Sequence, residues 1–159
     1  MNDENTKFLI DTYPNLFKGH TFKDNVYPFH FECGDGWFTI IKELASCIDH
    51  EVKNRKKVDQ YKISRGESIE EWHEPYVIQV KEKYGGLRFY VYSSMESING
   101  MITMAEAMSY RVCELCGNPG VLSQKGWWRT LCEPCRLNDE KRAAEWEQNY
   151  KKAVEKLDK

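Results

Sequence analysis

No apolar run in this 159-residue chain approaches the roughly 18 residues that a membrane-spanning helix requires, so no transmembrane helix is expected. Nor does it have an excess of charge of one sign. Lys and Arg number 23 against 25 Asp and Glu, a formal charge of -2, which excludes a global positive field that would draw the whole molecule to nucleic acid or acidic lipid. Proline is sparse, at 5 residues, and there is no Pro- or Ser-rich stretch to act as a flexible linker. No phosphate-binding glycine loop, serine-hydrolase elbow or zinc-protease helix is present. Histidine occurs only at positions 20, 30, 50 and 73, outside the cysteine-bearing segment. The first residues, Met1 to Lys7, are acidic and polar, which leads to the expectation of a cytosolic protein with reduced thiols.

What the chain does have is 41% hydrophobic residues, with aromatics making up 13% of the whole sequence, enough to pack a core. Charge is unevenly spread. Residues 111 to 136 hold four basic and two acidic side chains, whereas residues 1 to 50 hold four basic and eight acidic.

Four of the six cysteines fall in one pattern, Cys113-x2-Cys116-x15-Cys132-x2-Cys135. Two intervening residues let both thiolates of a pair turn inward, and two facing pairs complete a tetrahedral sulfur site suited to one structural zinc ion. Paired disulfides, a redox pair and an iron-sulfur cluster are the competing readings; the finger-like spacing favours zinc. Four protein ligands leave no open position for an activated water, so a binding role is expected and catalysis at the metal is not. Between the pairs, Gly117 and Asn118-Pro119-Gly120 are turn signals and Val121 to Leu131 reads as a short hairpin. From Arg136 to Lys159 the chain is free of Pro and Gly and reads as a helix. Knuckle, hairpin, knuckle and helix is the order of a treble-clef finger, and Trp127 to Cys135 resembles part of a GATA-type finger, with a shorter loop and no basic tail.

Upstream, Tyr27 to Cys33 alternates as a strand, and Gly34-Asp35-Gly36 ends it, with Asp35 placed to cap a helix. That helix carries Trp37, Ile40, Ile41, Leu44, Ile48 and Val52 at spacings of three and four and is predicted to reach about Lys57; Lys53, Arg55, Lys56 and Lys57 would then complement its dipole. Residues 58 to 74 read as a loop. Tyr76 to Val80 and Leu87 to Tyr92 flank Gly85-Gly86, predicting a hairpin with those two glycines as the turn and Tyr84 opposite Leu87. In that register Lys81, Lys83, Arg88, Tyr90 and Tyr92 share one face, readable either as a nucleic-acid or anion-binding surface or as an ordinary solvated face. Ser93 with Glu96 forms a candidate capping box, and Met95, Ile98, Met101, Ile102 and Ala105 continue as a second helix towards Tyr110.

The expected architecture is therefore α+β: residues 1 to 110 form a small antiparallel sheet with two packed helices, and residues 111 to 159 form a zinc finger with a C-terminal helix. Trp127, Trp128, Arg129, Trp146 and Tyr150 are candidate partner-binding residues. Ala143, Trp146, Tyr150, Ala153 and Leu157 make a seam two heptads long that either packs on the rest of the chain or joins a homodimer or a partner helix.

Two weaker constellations remain. His30, Cys33, Cys47 and His50 could offer a second metal site, and His30, Glu32 and Asp35 an incomplete nuclease centre. In the order of its motifs, Phe31 to Phe38, Lys81 to Tyr90 and then the paired cysteines, the chain resembles a group of small uncharacterised bacteriophage and prophage proteins. The resemblance implies a gene of phages and their bacterial hosts, hence a protein of the host cytoplasm, and no activity. Small size, a filled metal site and the lack of a catalytic motif lead instead to the expectation of an accessory protein that binds nucleic acid or a host protein, and the phage context alone suggests an anti-phage defence protein, which it would inhibit, as one such partner.

Overall fold

The computed structural model describes the backbone of all residues except 19, 23, 24, 28, 29, 158 and 159, and side chains outside residues 19–29 and 155–159. Among the described residues, four α-helices and seven strands follow in order: α1 (Asp3–Thr12), β1 (His20–Phe22), β2 (Asn25–Tyr27), β3 (Phe31–Glu32), α2 (Phe38–Ser64), β4 (Tyr76–Lys83), β5 (Gly86–Tyr92), α3 (Glu96–Ser109), β6 (Val121–Ser123), β7 (Arg129–Leu131) and α4 (Glu133–Leu157). The fold is α+β, as expected.

One sheet, in the order β3-β4-β5, carries the main core, with β3 parallel to β4 and β4 antiparallel to β5. Alternation along β4 and β5 puts Val80, Leu87 and Phe89 on the inner face. Against them pack Trp37, Ile41, Leu44, Ile48 and Val52 of the α2 region and Ile98 and Ala105 of α3, residues whose spacing of three and four marked the helices in the sequence, together with Ala45. Leu9, Leu16 and Phe17 close the core from the amino-terminal side, through an α1 that the sequence reading did not anticipate. Its start is fixed by Asn2, whose side chain accepts from the Asn5 amide.

Asp35 does not cap α2. It sits in a 3-10 turn, Asp35–Trp37, and its Oδ1 accepts from the Asn2 amide at 2.8 Å and from Asn5 Nδ2 at 3.1 Å, so it ties α1 to the sheet. Nor does α2 stop near Lys57. It runs to Ser64 because the returning chain gives its last turns something to hold: the buried Asp59 receives Arg55 Nε at 3.1 Å and Trp72 Nε1 at 2.7 Å, and Lys56 meets Glu74 at 2.6 Å. The basic residues 53 to 57 are consequently mid-helix and cannot serve its carboxyl end.

The strand expected from Tyr27 to Cys33 is realised as Phe31–Glu32, with positions 28 and 29 outside the described residues. The hairpin turn is Tyr84-Gly85, both at positive φ (53° and 74°), with Lys83 opposite Gly86. Arg88 therefore faces Lys81, two positions from the Lys83 that Gly85-Gly86 as the turn would have required. The slip of two keeps residues 79 to 83 and 86 to 92 on their expected faces, but a bulge between Val77 and Gln79 turns Val77 into the core and leaves Ile78 exposed. Gly86 serves close approach instead, since a Cβ there would lie 2.4 Å from Cζ of Tyr110. The capping box before α3 is not formed. Ser93 has φ 54°, the N-cap is Met95, and no side chain caps that end.

The exposed edge of β5 is covered by α3. Ser109 Oγ accepts from the Leu87 amide at 2.8 Å and Glu106 Oε1 from the Phe89 amide at 3.1 Å. An edge whose amides are taken cannot recruit a further strand.

Candidate metal centre and surrounding surfaces

The first knuckle follows α3 directly. Gly117, at φ 78°, donates its amide to the Cys113 carbonyl at 2.9 Å, and the Cys113 amide donates to the Asn118 carbonyl at 2.7 Å, closing a tight loop around Cys113-Glu114-Leu115-Cys116. The antiparallel pair β6-β7 follows, as the turn signals predicted. Cys132 then precedes α4, and Cys135 lies in its first turn, where Pro134 costs the helix no hydrogen bond.

These elements bring the sulfur atoms of Cys113, Cys116, Cys132 and Cys135 within 4.8 Å of one another, with Cys116 Sγ and Cys132 Sγ 3.5 Å apart. Tetrahedral zinc-thiolate geometry, with bonds of about 2.3 Å, separates sulfurs by about 3.8 Å. The four residues could therefore hold one metal ion. Burial pushes the Cys113 thiol up, but backbone groups of Cys132, Cys116 and Leu115 outweigh it and bring the value down to about 7. Cys135 shifts the other way, because the hydrogen bonds its thiol donates to Cys132 and Cys116 favour its protonated form. Sulfurs this close cannot all be anionic without a cation among them.

The knuckle is bolted to the sheet unit. The Gly36 amide donates to the Glu114 carbonyl at 2.7 Å, the Gly34 amide to Glu114 Oε1 at 3.1 Å, and Trp37 Nε1 to the Val112 carbonyl at 2.9 Å. On the far side, Thr130 Oγ1 donates to the Gly85 carbonyl at 2.6 Å, and the Tyr84 ring meets Trp128 edge-on at 6.0 Å. Sequence reading missed Glu114, Gly34 and Gly36 as docking residues; glycines on one element give no sign of which backbone will press against them.

The hairpin face is partly committed within the chain. Arg88 donates to the Leu87 carbonyl and to the Tyr110 hydroxyl at 3.0 Å and stands 3.9 Å from Glu106, so it serves the α3 junction. Lys81 lies over the Tyr90 ring at 5.7 Å and Lys83 over the Tyr84 ring at 5.3 Å, while Tyr92 stacks on Tyr76 at 5.0 Å. Lys81, Lys83, Tyr90 and Tyr92 remain at least partly open to solvent.

Trp127 is 79% exposed, Trp128 is 40% exposed, and Arg129 is held by Asp139 at 2.7 Å. Along α4, Ala143, Trp146, Tyr150 and Ala153 are all exposed, with Trp146 and Tyr150 stacked on each other at 5.4 Å. The stripe does not pack back onto its own finger or sheet.

The second metal constellation is not assembled. Cys33 is buried and Cys47 exposed, and the four finger cysteines are the one group of three or more such ligands brought together among the described residues. Burial raises the Cys33 thiol to about 12. Glu32 accepts from Gln79 and Asp35 from the α1 residues, so the proposed nuclease carboxylates are each engaged elsewhere. Among the described residues no helix is long and apolar enough to cross a membrane.

Comparison of the chain with models of known protein families, with curated proteins and with solved structures gives no match. The functional reading therefore rests on the molecule's own geometry.

Proposed function

We propose that this protein is a zinc-stapled, treble-clef-type binding module that recognises another protein through the exposed stripe of α4, with Trp127, exposed in the loop between β6 and β7, as a second anchor. The observation that carries the reading is the stacked Trp146-Tyr150 pair, 67% and 57% exposed on a helix whose first turn carries Cys135 of the cysteine quartet. Large aromatic side chains left in water lose the roughly 1.5–3 kcal/mol apiece that burial would give, and such residues are enriched where partners dock. Zinc would fix the root of α4 and thereby the direction in which the stripe projects. Four thiolates would fill its coordination shell, which favours a binding role over a catalytic one.

Sedimentation velocity and chemical cross-linking test this reading, carried out with purified zinc-loaded protein in extracts of a bacterial host that a phage-type gene would occupy. Binding that survives 0.5 M salt and is lost in Trp146→Ser/Tyr150→Ser supports it. Unchanged capture by that variant refutes it.

One observation favours a second reading: the pairing of Lys81 with Tyr90 on the solvent face of the hairpin, a cation beside a ring on which a base can stack. Anisotropy of labelled single- and double-stranded DNA and of RNA at two salt concentrations decides it. Salt-sensitive binding lost in Lys81→Ala/Lys83→Ala would establish nucleic acid as the target. Arg88 is unsuited to that test, since its removal disturbs the packing against Tyr110 and Glu106.

A further inference from the structure

Both outer edges of the β3-β4-β5 sheet are sealed. The amides of β5 are taken by Ser109 and Glu106, and the carbonyls of Phe31 and Cys33 beside β3 accept from the Met1 amino group. The outer edge of β6 is different. In its antiparallel pair with β7, Val121 faces Leu131, Leu122 faces Thr130 and Ser123 faces Arg129. The Thr130 carbonyl accepts from the Glu114 amide at 3.0 Å, on the side of β7 away from β6. Leu122 and Thr130 are therefore a non-hydrogen-bonded pair, and the Leu122 amide and carbonyl point outward from β6. Among the described residues neither is given a partner.

Two grooves meet at this strand. One, of about 730 Å³, is bounded by α3 and includes Arg88, Glu106 and Arg111; the other, of about 660 Å³, includes Lys125, Glu133 and Arg136. Val121 and Leu122 line both. Four cations and two carboxylates line the pair of grooves, but Arg88 stands 3.9 Å from Glu106 and Arg136 3.7 Å from Glu140, so the positive charge on offer is that of Arg111 and Lys125. Glu106 is already committed to the Phe89 amide and Arg88, whereas Arg111 and Lys125 have no carboxylate partner among the described residues. Val121 itself is 77% exposed.

From this arrangement we infer that the β6 edge is a strand-addition site for an extended, acidic segment of a partner protein. The segment would pair with the Leu122 amide and carbonyl and place acidic side chains towards Arg111 and Lys125. Main-chain hydrogen bonds supply affinity in this mode, and the alternate side chains reaching the flanking grooves supply selectivity. The site is separate from the stripe of α4 and stands or falls independently of it.

Selection of a random ten-residue peptide display library against zinc-loaded protein tests the inference. Enriched peptides should be acidic, alternate polar and apolar residues, and lack proline in the middle. Their binding, followed by fluorescence anisotropy with a labelled selected peptide, should weaken as salt rises. Leu122→Pro removes the outward amide without touching a β6-β7 hydrogen bond and should cost at least about tenfold in Kd. Leu122→Ala keeps that amide and should retain most of the binding, with an unchanged zinc ratio in both variants confirming the fold. Enrichment of basic or helical peptides, no enrichment, or equal binding to Leu122→Pro overturns it. So does a Leu122→Pro-sensitive dimer of the protein alone, which would assign the edge to a second copy.

Discussion

Replacing Gly36 by alanine places a methyl group where the finger's backbone already lies. The new Cβ would stand 2.0 Å from the Cys113 carbonyl oxygen, 2.5 Å from the Gly117 nitrogen and 2.7 Å from the Glu114 carbonyl carbon, all closer than the 3.0 Å that real Cβ atoms keep. Backbone on both sides cannot step aside as a flexible side chain would, so the knuckle and the Gly34-Gly36 segment must part by about 1 Å. That movement strains three hydrogen bonds at once: Gly36 to the Glu114 carbonyl, Gly34 to the Glu114 carboxylate, and Trp37 to the Val112 carbonyl. Neutral bonds contribute about 1 kcal/mol each and one to a charged group about 1.5–3, so the expected loss is about 3–5 kcal/mol. Domains of this kind are stable by about 5–15 kcal/mol, and a loss of that size is readily measured. Urea unfolding of the metal-loaded protein, followed by tryptophan fluorescence, gives the change. Gly100→Ala in α3 is the internal control: nothing lies within 4 Å of its Cβ, and helix propensity predicts a gain of about 0.5–1 kcal/mol. If Gly36→Ala costs less than 1 kcal/mol, the finger is not docked as described.

On the zinc reading proposed above, Cys113→Ser or Cys132→Ser should abolish a metal-to-protein ratio of one and unfold at least residues 111–136, because a structural zinc ion would supply folding free energy on the order of 10 kcal/mol; circular dichroism with atomic absorption checks both, and a chelator should reproduce the effect. Iodoacetamide at pH 8 should modify the exposed Cys47 and spare Cys33, whose thiol at about 12 is ionised to only about one part in ten thousand at that pH. Peptide mass spectrometry should show Cys33 labelling rising steadily as pH is raised above 8, and rapid labelling of Cys33 at pH 8 would contradict its burial. Ser109→Ala leaves the buried Leu87 amide without its acceptor and should cost about 1–3 kcal/mol in urea unfolding.

Much of this fold was legible wherever one residue's environment is set by its near neighbours. The metal-ligand quartet follows from two short spacings, the helix faces of α2 and α3 from a period of three and four, and the β4-β5 hairpin from glycine between alternating segments. Errors arose where a local signal had two uses. Gly85-Gly86 promised a two-residue turn, but only Gly85 takes positive φ; Gly86 is small because Tyr110 lies against it. Asp35 and the Ser93-Glu96 pair carried capping chemistry, yet the former binds α1 and the latter forms no cap. The end of α2 was misjudged because Trp72, thirteen residues on, supplies the partner that keeps Asp59 buried.

By itself, then, the sequence determined the α+β class, the elements that build the core, the four cysteines able to share a metal, and the faces of the hairpin side chains from Gln79 onward, though not the bulge that turns Val77 inward. These depend on covalent spacing and on the periods of helix and strand, which act over a few residues. Only the tertiary structure decided that the knuckle locks onto Gly34 and Gly36, that Arg88 and Arg129 are held inside the chain, and that the stripe of α4 and the outer edge of β6 are left open. Those outcomes depend on which distant groups arrive to satisfy or bury a side chain, and distance along the chain carries no record of them.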